Sequence, residues 1–330
     1  MRGKVKKDFL TYLSRADLWL VLAGIATLLV LPSVLSKSWV SLLIEMMIMA
    51  LAGCSLNLIV GYGGMVSFGP AGLYGAGAYT TAILLSRYGL PFPLAVLAAP
   101  IMAGLVGAVV GWFCVRRNAV YFALLTLAFS QIIWTVIFQW YDFTNGDNGI
   151  IGVPIPDYVS SITRSYYFIV VITLFCIFLM WRMVNSPFGI TIQSIRENPL
   201  RSEFISVAVR RYQLSLFVVS SVFLGVSGAL YCVFAGSVFP DYAHWAKSTD
   251  MLIVCLLGGL HSFAGPIVGS IVYIFLSKTI AKGTTYWMFY LGMIIAFLVL
   301  FMRGGIVGFT NEKLAWMLNR RNGAKRGGER

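Results

Sequence analysis

The sequence predicts an all-α, polytopic membrane protein, a bundle of about ten transmembrane helices with both termini in the cytoplasm. Of its 330 residues, 59% are hydrophobic and only 11% are charged, whereas soluble domains carry about 25% charged residues. Such a chain cannot cover its surface with polar groups, so lipid must surround much of it. Its basic residues also fall in a few segments between long apolar runs.

Ten apolar runs approach the roughly 20 residues that a helix needs to cross about 30 Å of hydrocarbon. They are residues 18–36, 40–61, 66–86, 92–115, 119–140, 166–184, 213–236, 250–260, 264–281 and 285–302. The run 18–36 is longer than the apolar core of a cleaved signal peptide, so it is predicted to be a retained helix.

The basic residues predict the orientation of the chain. Nineteen of the 25 lie in residues 1–17, 116–117, 182–211 and 303–330. The connection 141–165 instead carries three aspartates and one arginine. By the positive-inside rule, the basic segments face the cytoplasm and the acidic connection faces outward. The predicted organisation is a basic cytoplasmic tail (1–17), a transmembrane domain (18–302) with a cytoplasmic loop (182–212), and a second basic tail (303–330).

Whether the short run 250–260 crosses the membrane can be tested by counting the crossings that must follow the loop 182–212. Because the loop 182–212 and the C-terminal segment are both predicted to be cytoplasmic, an even number of crossings must follow residue 212. The four runs after that loop satisfy this condition only when 250–260 is counted. Ten crossings is therefore the preferred interpretation, and a re-entrant half-helix at 250–260 is the main alternative.

Several classes of function are disfavoured by what the sequence lacks. It contains no Gly-x-x-x-x-Gly-Lys-Ser/Thr loop for ATP phosphates, no His-Glu-x-x-His and no Gly-x-Ser-x-Gly, so catalysis is not expected. Its two histidines are 17 positions apart and its five cysteines lie in apolar runs without Cys-x-x-Cys spacing, which argues against a metal site. Nucleic-acid binding is disfavoured because the basic residues mark topology.

Glu45 is the one acid that the sequence places well inside a span, roughly 7 Å from its outer edge. Intramembrane acids are the usual sign of proton or sodium coupling. An interfacial carboxylate that reaches water is the alternative interpretation. Because so little charge is predicted to be buried, the energy for uphill transport is expected to come from another chain.

The loop 182–212 is predicted to hold two short amphipathic helices. Ser186-Pro187 and Asn198-Pro199 each have the pattern of an N-cap residue followed by Pro at the first helical position. Apolar residues recur at helical spacing after each pair. The loop is interpreted as a docking element for a partner protein, and a helical elbow lying on the lipid headgroups is the alternative.

Residues 61–72 are unusually rich in Gly and Pro for an apolar run. This density should break the helix, and backbone freed at membrane depth survives only where protein or a watery cavity satisfies it. A solute path is one interpretation, and a tight turn with close helix packing is the other. Residues 258–266 carry a similar run. A parallel duplication, misplaced boundaries and chance in Gly-rich sequence all remain open as explanations.

The chain resembles the LivM-like permeases of bacterial ABC importers for branched-chain amino acids, in order over about residues 45–310. The shared segments are residues 56–64, 67–69, 75–79, 121–129, 144–149, Gly189 with 195–199, and 257–259 with Gly265, Pro266 and Gly269. The chain departs from the family at Pro70, where His is more frequent, and at Asn145, where Gly is usual.

The resemblance implies a subunit of a larger importer in the bacterial inner membrane. Its expected partners are two ABC ATPase subunits, a second homologous permease, a periplasmic or lipid-anchored solute-binding protein and membrane lipid. ATP would be bound by the ATPase subunits, and no cofactor is implied for this chain. The same family includes permeases for urea and short amides, which stay open as alternative solutes. An ion-coupled carrier and a membrane enzyme or scaffold are the other hypotheses.

Two sets of functional residues are predicted, one for coupling to the ATPase and one for the translocation path. The set expected to couple to the ATPase is Gly189, Arg196, Glu197, Asn198 and Pro199. The set expected along the translocation path is Asn57, Gly61, Gly63, Gly64, Ser67, Gly69, Tyr79, Thr126, Gly258 and Gly259. No catalytic residue and no metal ligand is predicted.

Overall fold

The computed structural model describes residues 31–32, 35–116, 118–260, 262–284, 286–301 and 304–308. The predicted tail 1–17, most of the first predicted span 18–36, and nearly all of the tail 303–330 lie outside these residues.

The described part of the chain contains thirteen α-helices and one short pair of strands. In chain order the helices are α1 (Lys37–Asn57), α2 (Pro70–Ser86), α3 (Phe92–Cys114), α4 (Ala119–Gln139), α5 (Tyr141–Thr144), α6 (Asp157–Ser160), α7 (Ile162–Val184), α8 (Pro187–Glu197), α9 (Pro199–Phe204), α10 (Val209–Ala235), α11 (Trp245–Gly258), α12 (Gly265–Gly283) and α13 (Trp287–Phe301). A π-helical turn, Leu58–Tyr62, continues α1. The strands β1 (Ile150–Ile151) and β2 (Ser237–Val238) pair antiparallel.

Five helices of the described residues are long and apolar enough to cross a membrane: α1 with its π turn, α3, α4, α7 and α10. Their mean hydropathy lies between 1.9 and 2.3. This confirms the prediction of an all-α polytopic membrane protein. Of the remaining predicted spans, α2 and α13 are shorter than their apolar runs, whereas α11 extends beyond the run 250–260 but is still short. At about 1.5 Å per residue, the 17 residues of α2, the 14 of α11 and the 15 of α13 are too few to cross about 30 Å of hydrocarbon as straight helices.

The core of the bundle is built around α1 and α10. In these two helices 78% and 72% of the apolar window is buried, against 28–39% in α3, α4 and α7. The apolar residues that α3 leaves exposed recur every four positions, at Leu97, Ile101 and Leu105, and so form one stripe along its outer face. The three outer helices therefore present apolar faces to lipid, and α1 and α10 form the interior.

Helix α10 approaches its neighbours closely because small residues line the contacts. A Cβ atom on Gly228 would come within 2.0 Å of the carbonyl oxygen of Tyr74 in α2. Serines of α10 also donate hydrogen bonds to carbonyl groups of α1, from Ser220 to Ser55 at 2.6 Å and from Ser227 to Ile48 at 2.9 Å. In lipid there is no hydrophobic driving force between helices, so close packing and hydrogen bonds from hydroxyl groups hold these helices together.

The two ends of the bundle carry different segments. At one end, β1 in the acidic connection 141–165 pairs with β2, which follows α10. At the other end, α8 contacts the π turn that ends α1, and Gly259, just past α11, contacts Gly304 beyond α13. The chain after residue 212 therefore returns to the end at which it started.

Gly228→Ala is expected to lower the stability of the protein by about 1–3 kcal/mol, because the new methyl group has no room against the backbone of α2. Gly292→Ala in α13 is the matched control, since nothing lies within 4 Å of its Cβ position. Alanine there should be neutral or stabilising by up to about 1 kcal/mol. Thermal unfolding of the purified protein in detergent measures both, and equal melting temperatures would contradict the packing described.

Candidate functional site

The predicted break in residues 61–72 is present. Helix α1 ends in the π turn at Tyr62, the next seven residues are non-helical, and α2 begins at Pro70. Gly64 has a φ of +67°, a left-handed conformation that favours glycine. Pro70 occupies the first helical position, where its missing N–H removes no helical bond. Proline therefore fits this position, at which the permease family that the sequence resembles more often has histidine.

The break lies at membrane depth, because it contacts the middle of α4. Thr126 is seven residues inside α4, about 10 Å along its axis from Ala119. Its hydroxyl accepts a hydrogen bond from the backbone N–H of Phe68 at 3.2 Å. The predicted path residues Ser67, Gly69 and Thr126 are thus brought together, since Gly69 N–H also bonds the Ser67 hydroxyl at 3.3 Å.

Two further hydroxyl groups satisfy the first N–H groups of α2. Ser248 of α11 accepts from Ala71 N–H at 3.0 Å, and Ser130 of α4 accepts from Gly72 N–H at 3.0 Å. Both serines are buried. Neither serine was predicted, because the residues around a serine carry no signal of a partner that is distant in the chain. Protein therefore satisfies the freed backbone here, as backbone at this depth requires.

A second break separates α11 from α12 and meets the first. Gly259 has a φ of +113°. The side-chain amide of Asn57 donates to the carbonyl oxygen of Ser262 at 3.2 Å. A Cβ on Gly61 would come within 2.3 Å of the carbonyl oxygen of Leu260. The two Gly-rich runs therefore lie at the same end of the bundle. His261, which belongs to the second run, lies outside the described residues.

The loop 182–212 forms the two capped helices that the sequence predicts. The Ser186 hydroxyl accepts from Gly189 N–H at 3.5 Å, and Oδ1 of Asn198 accepts from Arg201 N–H at 3.0 Å. One face of α8 is buried through Ile192 and Ile195. The remaining residues of the predicted coupling set, which are Arg196, Glu197, Asn198 and Pro199, are exposed at the joint of α8 and α9.

Arg196 connects this loop to the first break. Its guanidinium group donates to the carbonyl oxygen of Gly61 in the π turn. Its aliphatic part covers Gly64, where a Cβ would come within 2.7 Å of Arg196 Cγ. Two sets of residues predicted on separate grounds are thus in direct contact, which no pattern in the sequence indicated.

A cavity of about 350 Å³ opens beside this link. It lies between the loop, the α3–α4 turn and the start of α10. Its lining includes Gly63, Gly64, Arg116, Arg196 and Arg210. Its basic character agrees with the cytoplasmic side that the charge distribution predicts.

Most of the predicted path residues are packed inside the chain. Asn57, Ser67 and Thr126 are each 1% exposed, and Tyr79 is 3% exposed. Tyr79 lies ten residues beyond Gly69 along the chain, about 15 Å along α2, so it is not part of the cluster at the breaks. Within the described residues, the buried Oδ1 of Asn57 and the hydroxyl of Tyr79 have no hydrogen-bond partner. Their role in a path stays a prediction.

At the opposite end, the connection 141–165 is ordered by local polar contacts. Asn145 has a φ of +63°, a conformation that Asn tolerates where Gly is usual. Arg87 donates to Oδ1 of Asn145 at 3.0 Å. The Tyr141 hydroxyl donates to Asp147, and this hydrogen bond raises the pKa of Tyr141 above its ordinary value.

The cysteines and acids provide no metal site in the described part of the chain. All five cysteines are buried and free, as their apolar surroundings predict. Among the described residues, no three His, Cys, Asp or Glu side chains are grouped so that they could hold a metal ion.

The family described as branched-chain amino acid transport system / permease component has a sequence model that matches residues 38–302. The chain belongs to this family. It is therefore a transport permease and not an enzyme. The "High-affinity branched-chain amino acid transport system permease protein LivM" of Escherichia coli K12 is 26% identical over an alignment of 323 positions that covers 90% of this chain and 75% of that protein.

Other relatives carry similar names. The protein of the same name from Salmonella typhimurium LT2 is 25% identical, with 86% of this chain and 73% of that protein covered. The "Probable branched-chain amino acid transport permease protein LivM" of Methanocaldococcus jannaschii is 22% identical, with 67% of this chain and 74% of that protein covered. No solved structure gives a significant match.

Ser248→Ala is expected to cost about 1–3 kcal/mol of stability, because it leaves the buried N–H of Ala71 without its acceptor. Ser41→Ala is the matched control, since that exposed hydroxyl bonds only the carbonyl of Lys37 in its own helix. Thermal unfolding of the two variants in the same detergent measures the difference. Equal melting temperatures would show that the Ser248 hydroxyl does not support the break.

Proposed function

We propose that this chain is the membrane-spanning subunit of an ABC importer that moves branched-chain amino acids into the cell, with energy from separate ATPase subunits. Family membership and the names of the relatives support this function. Those names favour branched-chain amino acids over urea and short amides. The observation that carries the mechanism is the contact between Arg196 on the exposed loop and the broken helix at Gly61.

The α8–α9 joint is the surface proposed to receive the ATPase. Glu197, Asn198 and Pro199 are exposed there, while Arg196 on the same turn reaches inward to the π turn. Gly189 brings α8 close to α7, since a Cβ at this position would come within 2.1 Å of the carbonyl oxygen of Val184. A displacement of α8 would therefore be transmitted to both the end of α7 and the break.

The break is a suitable receiver of that displacement. A π turn, the left-handed Gly64 and a non-helical stretch follow one another there, and such irregular backbone can change direction at lower cost than a continuous helix. The hydroxyl groups of Thr126, Ser130 and Ser248 would hold the start of α2 while the end of α1 moves. In this mechanism ATP hydrolysis changes the direction of the Gly-rich segments beside the solute path.

The proposed assembly contains two ATPase subunits, a second homologous permease and a periplasmic or lipid-anchored solute-binding protein, all in or at the bacterial inner membrane. ATP would bind to the ATPase subunits, and this chain would need no cofactor of its own. Ten crossings with both termini in the cytoplasm complete the proposal, with the short α11 counted as one of them. An ion-coupled carrier is less favoured, because Glu45 is held in an ion pair with Lys278 at 2.9 Å.

Glu197→Arg is expected to reduce leucine uptake at least ten-fold while the complex still assembles and hydrolyses ATP. The charge of the exposed Glu197 can be reversed without touching the contact of Arg196 with Gly61, so the variant tests the docking surface alone. Uptake and ATP hydrolysis are measured together in proteoliposomes that contain the whole complex.

The control for charge reversal is Lys37→Glu, an exposed position at the opposite end of α1. It should leave uptake and hydrolysis unchanged, because an acid is tolerated at a helix N-terminus. Normal leucine uptake by the Glu197→Arg complex would contradict the proposed docking surface. Leucine uptake by this chain alone, without ATPase subunits, would contradict the proposed function as a whole.

A further inference from the structure

Four charged side chains lie inside the outer half of the bundle, on three neighbouring helices. Glu45 is two turns inside α1, Lys247 and Asp250 are in the first two turns of α11, and Lys278 is in the last two turns of α12. Glu45 was predicted to be the one acid well inside a span. Because α11 begins at Trp245, five residues before the predicted run, it also brings Lys247 into the helix beside Asp250.

These side chains form two ion pairs. Lys278 Nζ lies 2.9 Å from Glu45 Oε2 and 3.0 Å from Oε1. Lys247 Nζ lies 3.6 Å from Asp250 Oδ2, and the hydroxyl of Tyr273 donates to Asp250 Oδ1 at 2.6 Å. The group therefore presents two positive and two negative charges with no net charge.

The two pairs are open to the surface of the chain. The exposed fraction of the side chain is 50% for Lys278, 33% for Asp250, 27% for Lys247 and 20% for Glu45. A charged side chain in hydrocarbon costs at least about 2.5 kcal/mol. This face differs from the outer face of α3, where Leu97 lies at a similar depth and is exposed. Water or another protein surface, and not lipid, must therefore cover the charged face.

A small cavity adjoins the charges. It has a volume of about 40 Å³, and its lining combines Glu45 and Lys247 with the rings of Tyr74 and Tyr231 and with apolar residues of α1 and α12. This volume holds little more than one water molecule, so it cannot enclose an amino acid. It can accept one charged end of a solute that passes along the exposed face, beside the apolar groups that a branched side chain would contact.

We propose that Glu45, Lys278, Lys247 and Asp250 form one wall of the translocation path and recognise the ammonium and carboxylate groups of an amino-acid solute. This inference rests on the proposed function and names the residues that would read the solute. A zwitterion can exchange with an internal ion pair and leave every charge matched. A solute with a single charge would leave one of the four charges without a partner, which is less favourable.

Accessibility of the charged face to water is the first test. In the assembled complex, Lys278→Cys is treated from outside with a charged, membrane-impermeant thiosulfonate reagent. The five natural cysteines are buried and give a low background. Leu97→Cys is the control, because it lies five residues from the outer end of α3, as Lys278 does in α12, but on an apolar face.

The expected result is labelling of Lys278→Cys, with no labelling of Leu97→Cys. No labelling of Lys278→Cys in an assembled complex would place this face against protein or lipid and would overturn the proposal.

Exchanging the charges of Glu45 and Lys278 distinguishes an ion pair that recognises the solute from one that only stabilises the structure. The double variant Glu45→Lys with Lys278→Glu keeps the pair but reverses its polarity. If the pair reads the solute, the complex should assemble while leucine uptake falls at least ten-fold, as it should in the single variant Glu45→Gln. Uptake restored to the level of the unaltered complex by the exchange would show that the pair is structural and would overturn the proposal. If the unaltered complex itself does not import leucine, the proposed function fails independently of this inference.

Discussion

The structure depends on satisfying backbone groups that are freed where water cannot reach them. Helix α1 ends and α2 begins inside the bundle, so the N–H groups between them have no helical acceptors. The hydroxyl groups of Thr126, Ser130 and Ser248, on two other helices, accept these bonds. The break is therefore stabilised by tertiary contacts with α4 and α11. The position of the loop α8–α9 follows from it, because Arg196 binds the carbonyl that the π turn presents.

Local signals in the sequence were sufficient for much of this architecture. The glycines and proline of residues 61–72 predicted the break, and Ser186-Pro187 and Asn198-Pro199 predicted the two caps, because each feature is decided by a few adjacent residues. Composition likewise predicted a helical membrane bundle. Partners distant in the chain left no such signal. Ser248 pairs with a backbone group 177 residues away, and no property of its neighbours indicates this.

Hydropathy also misplaced the ends of some helices. The polar residues Lys247 and Asp250 lowered the local average, so the run was predicted to begin at residue 250, although the helix starts at Trp245. Tyr79 was predicted along the path on family resemblance, and it lies farther along α2 than the cluster at the breaks. Charged side chains near the end of a helix are easily missed from hydropathy, because they shorten the apolar run.

The strand pair at the outer end has a mechanical consequence. Ile150 pairs with Val238 and Ile151 with Ser237, so the segment before α7 and the segment after α10 are joined by backbone hydrogen bonds. Rearranging either one alone would sacrifice those bonds. The outer end of the bundle is thus held by backbone hydrogen bonds, whereas the inner end contains the two breaks. A small displacement applied at the cytoplasmic face would therefore move the inner ends of the helices more than the outer ends.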